Sequence, residues 1–231
     1  MRYQAVIFDL YGTLVGEFMG ARFLERLREM AVVLEVPQED FLREWSASAV
    51  ERQTGLLGDI TENLVTICER AGHRPSPEGI GEALEIRDAM YRRFFVPRAG
   101  AEETLRELKA SGHPLGLISM CAPDTPRLWQ ASVLAQYVDA TVFSCETGLR
   151  KPDPEIYFLA CERLGVGAPG CLYVGDGAYG ELAGAAALGM YAVLIRDPAE
   201  ELGIERPEEE SWDGPAISSL REVLGLVEQA S

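Results

Sequence analysis

The chain has 231 residues, 47% of them hydrophobic, and sets 21 Lys and Arg against 37 Asp and Glu for a formal charge of −16. That length can bury a sizeable core, in one large domain or in a domain carrying an insertion. The acidic balance argues against general affinity for nucleic acid or an anionic membrane surface, and no apolar run approaches membrane-spanning length. A core strand begins within a few residues of Met1 and leaves no room for a signal peptide, so a cytoplasmic location is expected. The five cysteines are odd in number and lack close metal-type spacing, so they read as reduced and mostly buried. Cys121, beside Ser119, is the one to watch, but no His lies near it to make a thiolate.

In chain order, residues 5 to 15 read AVIFDLYGTLV. Four apolar residues lead into Asp9, and Gly12 supplies a tight turn. Such a strand delivers a carboxylate to the carboxyl edge of a sheet, where open α/β folds place their ligands. Strand signals then vanish until Pro97. Phe18, Ala21, Phe23, Leu24, Leu27, Met30 and Ala31 make an apolar stripe at helical spacing. Further helices are expected over Gln38–Glu51, Ile60–Ala71 and from Ser76 or Gly79 to Phe94, with Ser76 and Pro77 as start signals.

From Pro97 strands and helices alternate. Helices are expected over Ala101–Ser111, Thr125–Leu134, Pro154–Leu164, Glu181–Leu188 and Ser218–Glu228, which predicts a doubly wound parallel sheet. The domain reading is a core of residues 1–15 and 97–231 with an all-helical segment, 16–96, inserted at hinges near Gly16 and Val96-Pro97. Residues 197–216, rich in Glu, Pro and Gly, read as a solvated loop. Asp153 reads as the cap of the helix starting at Pro154.

The strand ends each hand over polar groups: Asp9, then Ser119 after Leu115–Ile118, then Lys151 after Ala140–Phe143, then Asp176 and Glu181 after Leu172–Val174. Side by side in one sheet they would bring a nucleophilic carboxylate, a hydroxyl, an ammonium and two more carboxylates to one crevice. That set suits a tetrahedral anion held beside a divalent cation. A competing pattern lies in Gly175-Asp176-Gly177-Ala178-Tyr179-Gly180, a G-x-G-x-x-G after a strand, with Asp197 where a ribose-binding acid would stand. Asp176 would put a negative charge between glycines meant to approach a pyrophosphate, and a nicotinamide or flavin oxidoreductase leaves Asp9, Ser119 and Lys151 without purpose.

The order Asp9…Thr13, Ser119, Lys151 and Gly175-Asp176…Glu181 resembles the four motifs of the haloacid dehalogenase superfamily, over about two thirds of the chain. The resemblance implies a Rossmann-like sheet, a mobile helical cap and an aspartate that becomes covalently substituted during turnover. It implies that Asp9 is the nucleophile. Thr13, Ser119, the Met120 amide and Lys151 would bind phosphate, and the Mg²⁺ site would be made by Asp9, the Tyr11 carbonyl and Asp176, with Glu181 holding the metal's water shell. Thr13 would also steady Asp9 or its loop. Arg52, Thr54 and Gly55, at a break between cap helices, are the expected specificity residues, with an exposed helix-end arginine as the plain alternative for Arg52. Expected partners are a small phosphorylated molecule and, at most, a second copy of the chain.

Two departures keep a second activity open. Superfamily phosphatases usually place an acid/base aspartate two residues after the nucleophile, and here that position is Tyr11. Asp-x-Tyr-Gly-Thr is the pattern of 2-haloacid dehalogenases, which need no metal, and Lys151 and Tyr157 match them too. Those enzymes, however, carry Ser-Asn where this chain has Gly175-Asp176, Asn where it has Met120, and an arginine shortly after a cap tryptophan, where Trp45 is followed by Ser46 and Ala47. The expectation is an Mg²⁺-dependent phosphatase, with the dehalogenase as alternative.

Overall fold

The computed structural model describes residues 3–16, 21–196 and 212–228. Its elements are β1 (Ala5–Phe8), α1 (Ala21–Val33), α2 (Gln38–Ala47), α3 (Ala49–Gln53), α4 (Ile60–Arg70), α5 (Pro77–Phe94), α6 (Ala101–Ala110), β2 (Leu115–Ser119), α7 (Thr125–Gln130), β3 (Ala140–Phe143), α8 (Ser144–Thr147), α9 (Pro154–Leu164), β4 (Cys171–Gly175), α10 (Glu181–Ala187), β5 (Tyr191–Ile195), β6 (Ala216–Ile217) and α11 (Glu222–Glu228). Six parallel strands lie in the order β3-β2-β1-β4-β5-β6.

Burial on both faces explains why the strands read as continuous apolar runs. Side chains alternate along β1: Val6 and Phe8 pack with Leu105 and Leu108 of α6 and Val223 of α11, while Ala5 and Ile7 pack with Ile156 and Tyr157 of α9 and Leu182 of α10. Consecutive connections run one way from β1 through β3 and the other way from β4 through β6. The reversal falls between β1 and β4, and ligand crevices of open α/β sheets form at such a switch point.

Between β1 and α6 the named elements are all helices. Leu27, Met30 and Leu34 of α1, Phe41 and Trp45 of α2, Leu64 and Ile67 of α4, and Ile80 and Ala83 of α5 form an apolar cluster of their own. Met90 and Tyr91 of α5 pack instead against Leu128 of α7, tying the helical layer to the sheet. Where the chain leaves and re-enters the sheet region, Gly16 N–H donates to the Val96 carbonyl and Val15 bridges Pro97. Among the described residues no helix is long and apolar enough to cross a membrane.

Several expectations are corrected. The helix expected over Gln38–Glu51 is two, because Ser48 leaves the helical path and its hydroxyl donates back to the Trp45 carbonyl. Leu24 faces solvent at 44% exposure, so the apolar stripe of α1 is narrower than its spacing suggested; Phe18 of that stripe lies outside the described residues. The helix after Thr125 stops at Gln130 and gives way to short turns. The stretch 197–216 ends in a strand, β6, that two residues were too few to signal, and the rest of it up to residue 211, Asp197 included, lies outside the described residues. α11 begins at Glu222, whose carboxylate is taken up by the amides and hydroxyls of Ser218 and Ser219. Asp153 precedes α9 without capping it, because its carboxylate turns back to Arg150.

Candidate active site

Asp9 emerges from β1 with its amide bonded to the Val174 carbonyl of β4. The loop that follows is closed by its own backbone: the amides of Thr13, Leu14 and Val15 converge on the Leu10 carbonyl, and Gly12 N–H donates to Val15. Gly12 has φ of +76°, and a Cβ there would collide with Asp176 Oδ2, so conformation and space both require glycine. Gly175 has no room for a side chain either, since Glu181 Oε1 fills it. Of the glycines in the dinucleotide-like pattern, Gly175 thus seats the Glu181 carboxylate, while Gly177 lies against Leu194 and Leu182 and Gly180 against Pro152, so the first glycine of the pattern faces an acid where a pyrophosphate would have to approach.

Lys151 Nζ lies 2.5 Å from Asp9 Oδ1 and 2.5 Å from Glu181 Oε2. Glu181 Oε2 also accepts from the Tyr173 hydroxyl at 2.7 Å, Glu181 Oε1 accepts from Gly177 N–H at 3.0 Å, and the Tyr157 hydroxyl donates to the Glu181 carbonyl at 2.9 Å. Tyr157 and Tyr173, both fully buried, meet edge to face beside Glu181. Burial raises the Asp9 pKa to about 6, with Lys151 opposing. Burial also raises that of Glu181, again against Lys151 and with Asp176 adding to the rise. For Lys151 burial works against the charge, but Asp9 and Glu181 outweigh it and hold the ammonium above its usual range.

Three buried oxygens here have no hydrogen-bond partner among the described residues: Asp9 Oδ2, Thr13 Oγ1 and Ser119 Oγ. Buried polar atoms are seldom left so. Thr13 therefore steadies neither Asp9 nor its loop, correcting that expectation. Asp9, Asp176 and Glu181 each offer a ligand atom within 4.8 Å of the others. Three carboxylates against one ammonium leave the cluster two charges negative. An all-oxygen donor set with that excess, and Asp9 Oδ2 unpartnered within it, fits a hard divalent cation such as Mg²⁺. Met120 presents its sulfur to the Lys151 amide at 3.3 Å.

Tyr11 turns away from acid–base work. Its hydroxyl meets Thr125 Oγ1 at 2.8 Å, its ring packs edge-on to Phe95, and burial raises its pKa well above the phenol range. Arg52 is 6% exposed rather than a solvated helix end: it stacks 3.9 Å from the Trp45 ring and donates to the Trp45 carbonyl and Ser48 hydroxyl. Next to it, Gln53 donates to the Tyr179 hydroxyl at 2.8 Å, and Gly55 lies against the Cys145 carbonyl. Cys121 is buried with its pKa raised well above the thiol range, chiefly by burial, and its sulfur lies 3.7 Å from that of Cys145.

Arg87, 1% exposed, was missed by the sequence reading. Its Nε and Nη2 donate to Asp124 Oδ2 at 3.0 and 2.7 Å, and Nη2 also to the Tyr91 hydroxyl. The signal was present: Ile80, Ala83, Arg87, Met90 and Tyr91 share the apolar face of α5, and a lone arginine there demands a partner. Arg98, which donates to the Gly12 carbonyl, was likewise missed.

The family model for haloacid dehalogenase-like hydrolases matches residues 3–189. The chain belongs to this family. A ribulose-1,5-bisphosphate 5-phosphatase of Halopiger xanaduensis is 30% identical over 96% of this chain and 98% of its own. An (S)-2-haloacid dehalogenase 4A of Burkholderia cepacia is 26% identical over 83% and 82%. The solved L-2-haloacid dehalogenase of Xanthobacter autotrophicus superposes with a TM-score of 0.64 at 22% identity, covering 99% of this chain and all of that one. A HAD phosphatase from Thermococcus onnurineus gives 0.64 at 20%, covering 97% of each. Family members of both activities therefore share this fold, and the family's hydrolase chemistry is common ground between them.

Proposed function

We propose that this hydrolase is an Mg²⁺-dependent phosphatase acting on a small phosphorylated metabolite through an aspartyl-phosphate on Asp9, with residues 16–96 forming a cap over a core of residues 1–15 and 97–231. The observation that carries it is the gathering of Asp9, Asp176 and Glu181 with a single ammonium among them. Carboxylates so placed repel one another unless a cation bridges them. The same excess negative charge would repel a haloacid carboxylate.

In this reading Asp9 attacks phosphorus as the P–O bond to the leaving alcohol breaks, and water then hydrolyses the aspartyl-phosphate to phosphate and free Asp9, while Lys151 bonds the Asp9 carboxylate and fixes its orientation. The Ser119 hydroxyl, the Thr13 hydroxyl and the Met120 amide take non-bridging oxygens. Asp9, the Tyr11 carbonyl and Asp176 would hold Mg²⁺, which would neutralise the charge of the transferring group. Glu181, fully occupied by Lys151, Tyr173 and the Gly177 amide, positions Lys151 rather than touching substrate. With Tyr11 bonded to Thr125, no carboxyl group stands two residues after the nucleophile to protonate a leaving alcohol. Esters of acidic alcohols and acyl phosphates should therefore react faster than alkyl phosphates.

One observation favours the second reading, a metal-free dehalogenase: Lys151 bridges Asp9 and Glu181 and so neutralises part of the cluster without a cation. A paired assay separates the two. Phosphate release from p-nitrophenyl phosphate with Mg²⁺, abolished by EDTA and by Asp9→Asn, supports the phosphatase. Chloride release from 2-chloropropionate in EDTA would replace it with the dehalogenase.

A further inference from the structure

We infer that the helical layer carries a second oxyanion site, built from Arg52 and Arg87 around Trp45, which selects substrates bearing a carboxylate or a second phosphate besides the group that Asp9 attacks. This deepens the phosphatase reading by naming its substrate class, and rests on that reading for where the reacting phosphate sits.

The charge balance is the starting point. Arg52 and Arg87 both approach the Trp45 ring, at 3.9 and 5.2 Å from its centroid. Only Arg87 has a carboxylate partner, Asp124; among the described residues Arg52 has none within ion-pair distance. Two guanidinium groups against one carboxylate leave a buried excess of one positive charge. Burying an unpaired charge is costly, and placing a like charge beside it raises the cost. Burial and then Arg87 depress the Arg52 pKa to about 10. Arg87 Nη1 is also buried without a hydrogen-bond partner among the described residues. An unpaired cation beside an unpaired donor is the complement of an oxyanion, and an arginine fork suits a carboxylate or phosphate edge.

Location makes that oxyanion part of the substrate. Asp124, which anchors Arg87, adjoins Thr125, which holds the Tyr11 hydroxyl, and Tyr11 is two residues from Asp9. Arg52 adjoins Gln53, which reaches Tyr179 in the loop between Asp176 and Glu181. The arginine cluster and the carboxylate cluster thus flank the same loops with opposite charge. A molecule anionic at both ends meets Mg²⁺ and Lys151 at one end and the arginines at the other.

The test reads binding on the Asp9→Asn protein with Mg²⁺, which cannot turn over, by calorimetry with three probes. Glycerol 3-phosphate lacks a second anion; 3-phosphoglycerate adds a carboxylate, and propane-1,3-diol bisphosphate a phosphate. At least one anionic probe should bind tenfold or more tighter than glycerol 3-phosphate, and which one does so assigns the oxyanion. Adding Arg52→Gln should erase the contrast, and Arg52→Lys should restore part of it. Arg87→Met should act likewise if it folds, and Arg52→Gln decides alone if it does not. A contrast below tenfold, or one that survives Arg52→Gln, overturns the site. Failure of the phosphatase reading shows separately, as no phosphate released from p-nitrophenyl phosphate by the wild-type protein with Mg²⁺.

Discussion

Asp9 in the metal-free protein has its pKa raised from 3.8 to about 6, mainly by burial, and both activity and stability inherit that shift. Attack requires the ionised form, so kcat/KM should fall about tenfold per pH unit on the acid side of a limb set by that pKa, moved downward by any bound cation. For stability, an acid whose pKa is higher folded than unfolded favours the folded state while protonated. That contribution is lost as pH rises through the folded value. In EDTA, the wild-type unfolding free energy should therefore fall relative to that of Asp9→Asn between pH 4 and 7, by about 1–3 kcal/mol, and Mg²⁺ should close the gap. A gap independent of pH would mean that the Asp9 pKa is not raised on folding. Tyr11→Phe tests the neighbouring residue: if the hydroxyl serves Thr125 and not the substrate, the pH profile keeps its shape while stability drops by about 1 kcal/mol. A lost limb would make Tyr11 a proton carrier.

At the scale of elements, α5 is joined to the loop after β2 by a buried ion pair, Arg87 with Asp124. Removing one partner strands the other, so Asp124→Leu should cost about 3–5 kcal/mol in urea unfolding, and Arg87→Met combined with Asp124→Leu should recover most of it. A double variant no better than the single one would show that the pair is not coupled. The same helix shows what the sequence could and could not disclose. The start of α5 was legible because Ser76 caps Gly79 N–H and Pro77 opens the first turn. The destination of Arg87 was not, because its partner lies 37 residues away on another element. The strand-end residues were legible because a parallel sheet converts sequence order into spatial neighbourhood, so Asp9 and Asp176 could be placed from β1 and β4 alone. Which atoms bond to which was not legible. Glu181, expected around the metal's water, faces Lys151 and Tyr173, and Thr13, expected to hold its loop, has its hydroxyl unpartnered. Such choices turn on ångström-scale packing that no spacing rule encodes.

For the molecule as a whole, a cation bridging Asp9 and Asp176 would join β1 to β4 across the middle of the sheet. Mg²⁺ at a hundred times its dissociation constant should add about 2.7 kcal/mol to unfolding, and Asp176→Asn should remove most of that gain. No shift in melting temperature with Mg²⁺ would count against the cation. The strand order also governs synthesis. β1 leaves the ribosome first yet occupies the interior of the sheet, between β2 and β4. β2 arrives a hundred residues later and β4 after more than fifty further, so at about 5–20 residues per second one edge of an entirely apolar strand stays open for about 8–30 seconds. Open strand edges recruit one another, which makes the nascent chain the stage most exposed to aggregation. Slowed elongation between β3 and β4 should lower the soluble yield of a protein that is well behaved once complete.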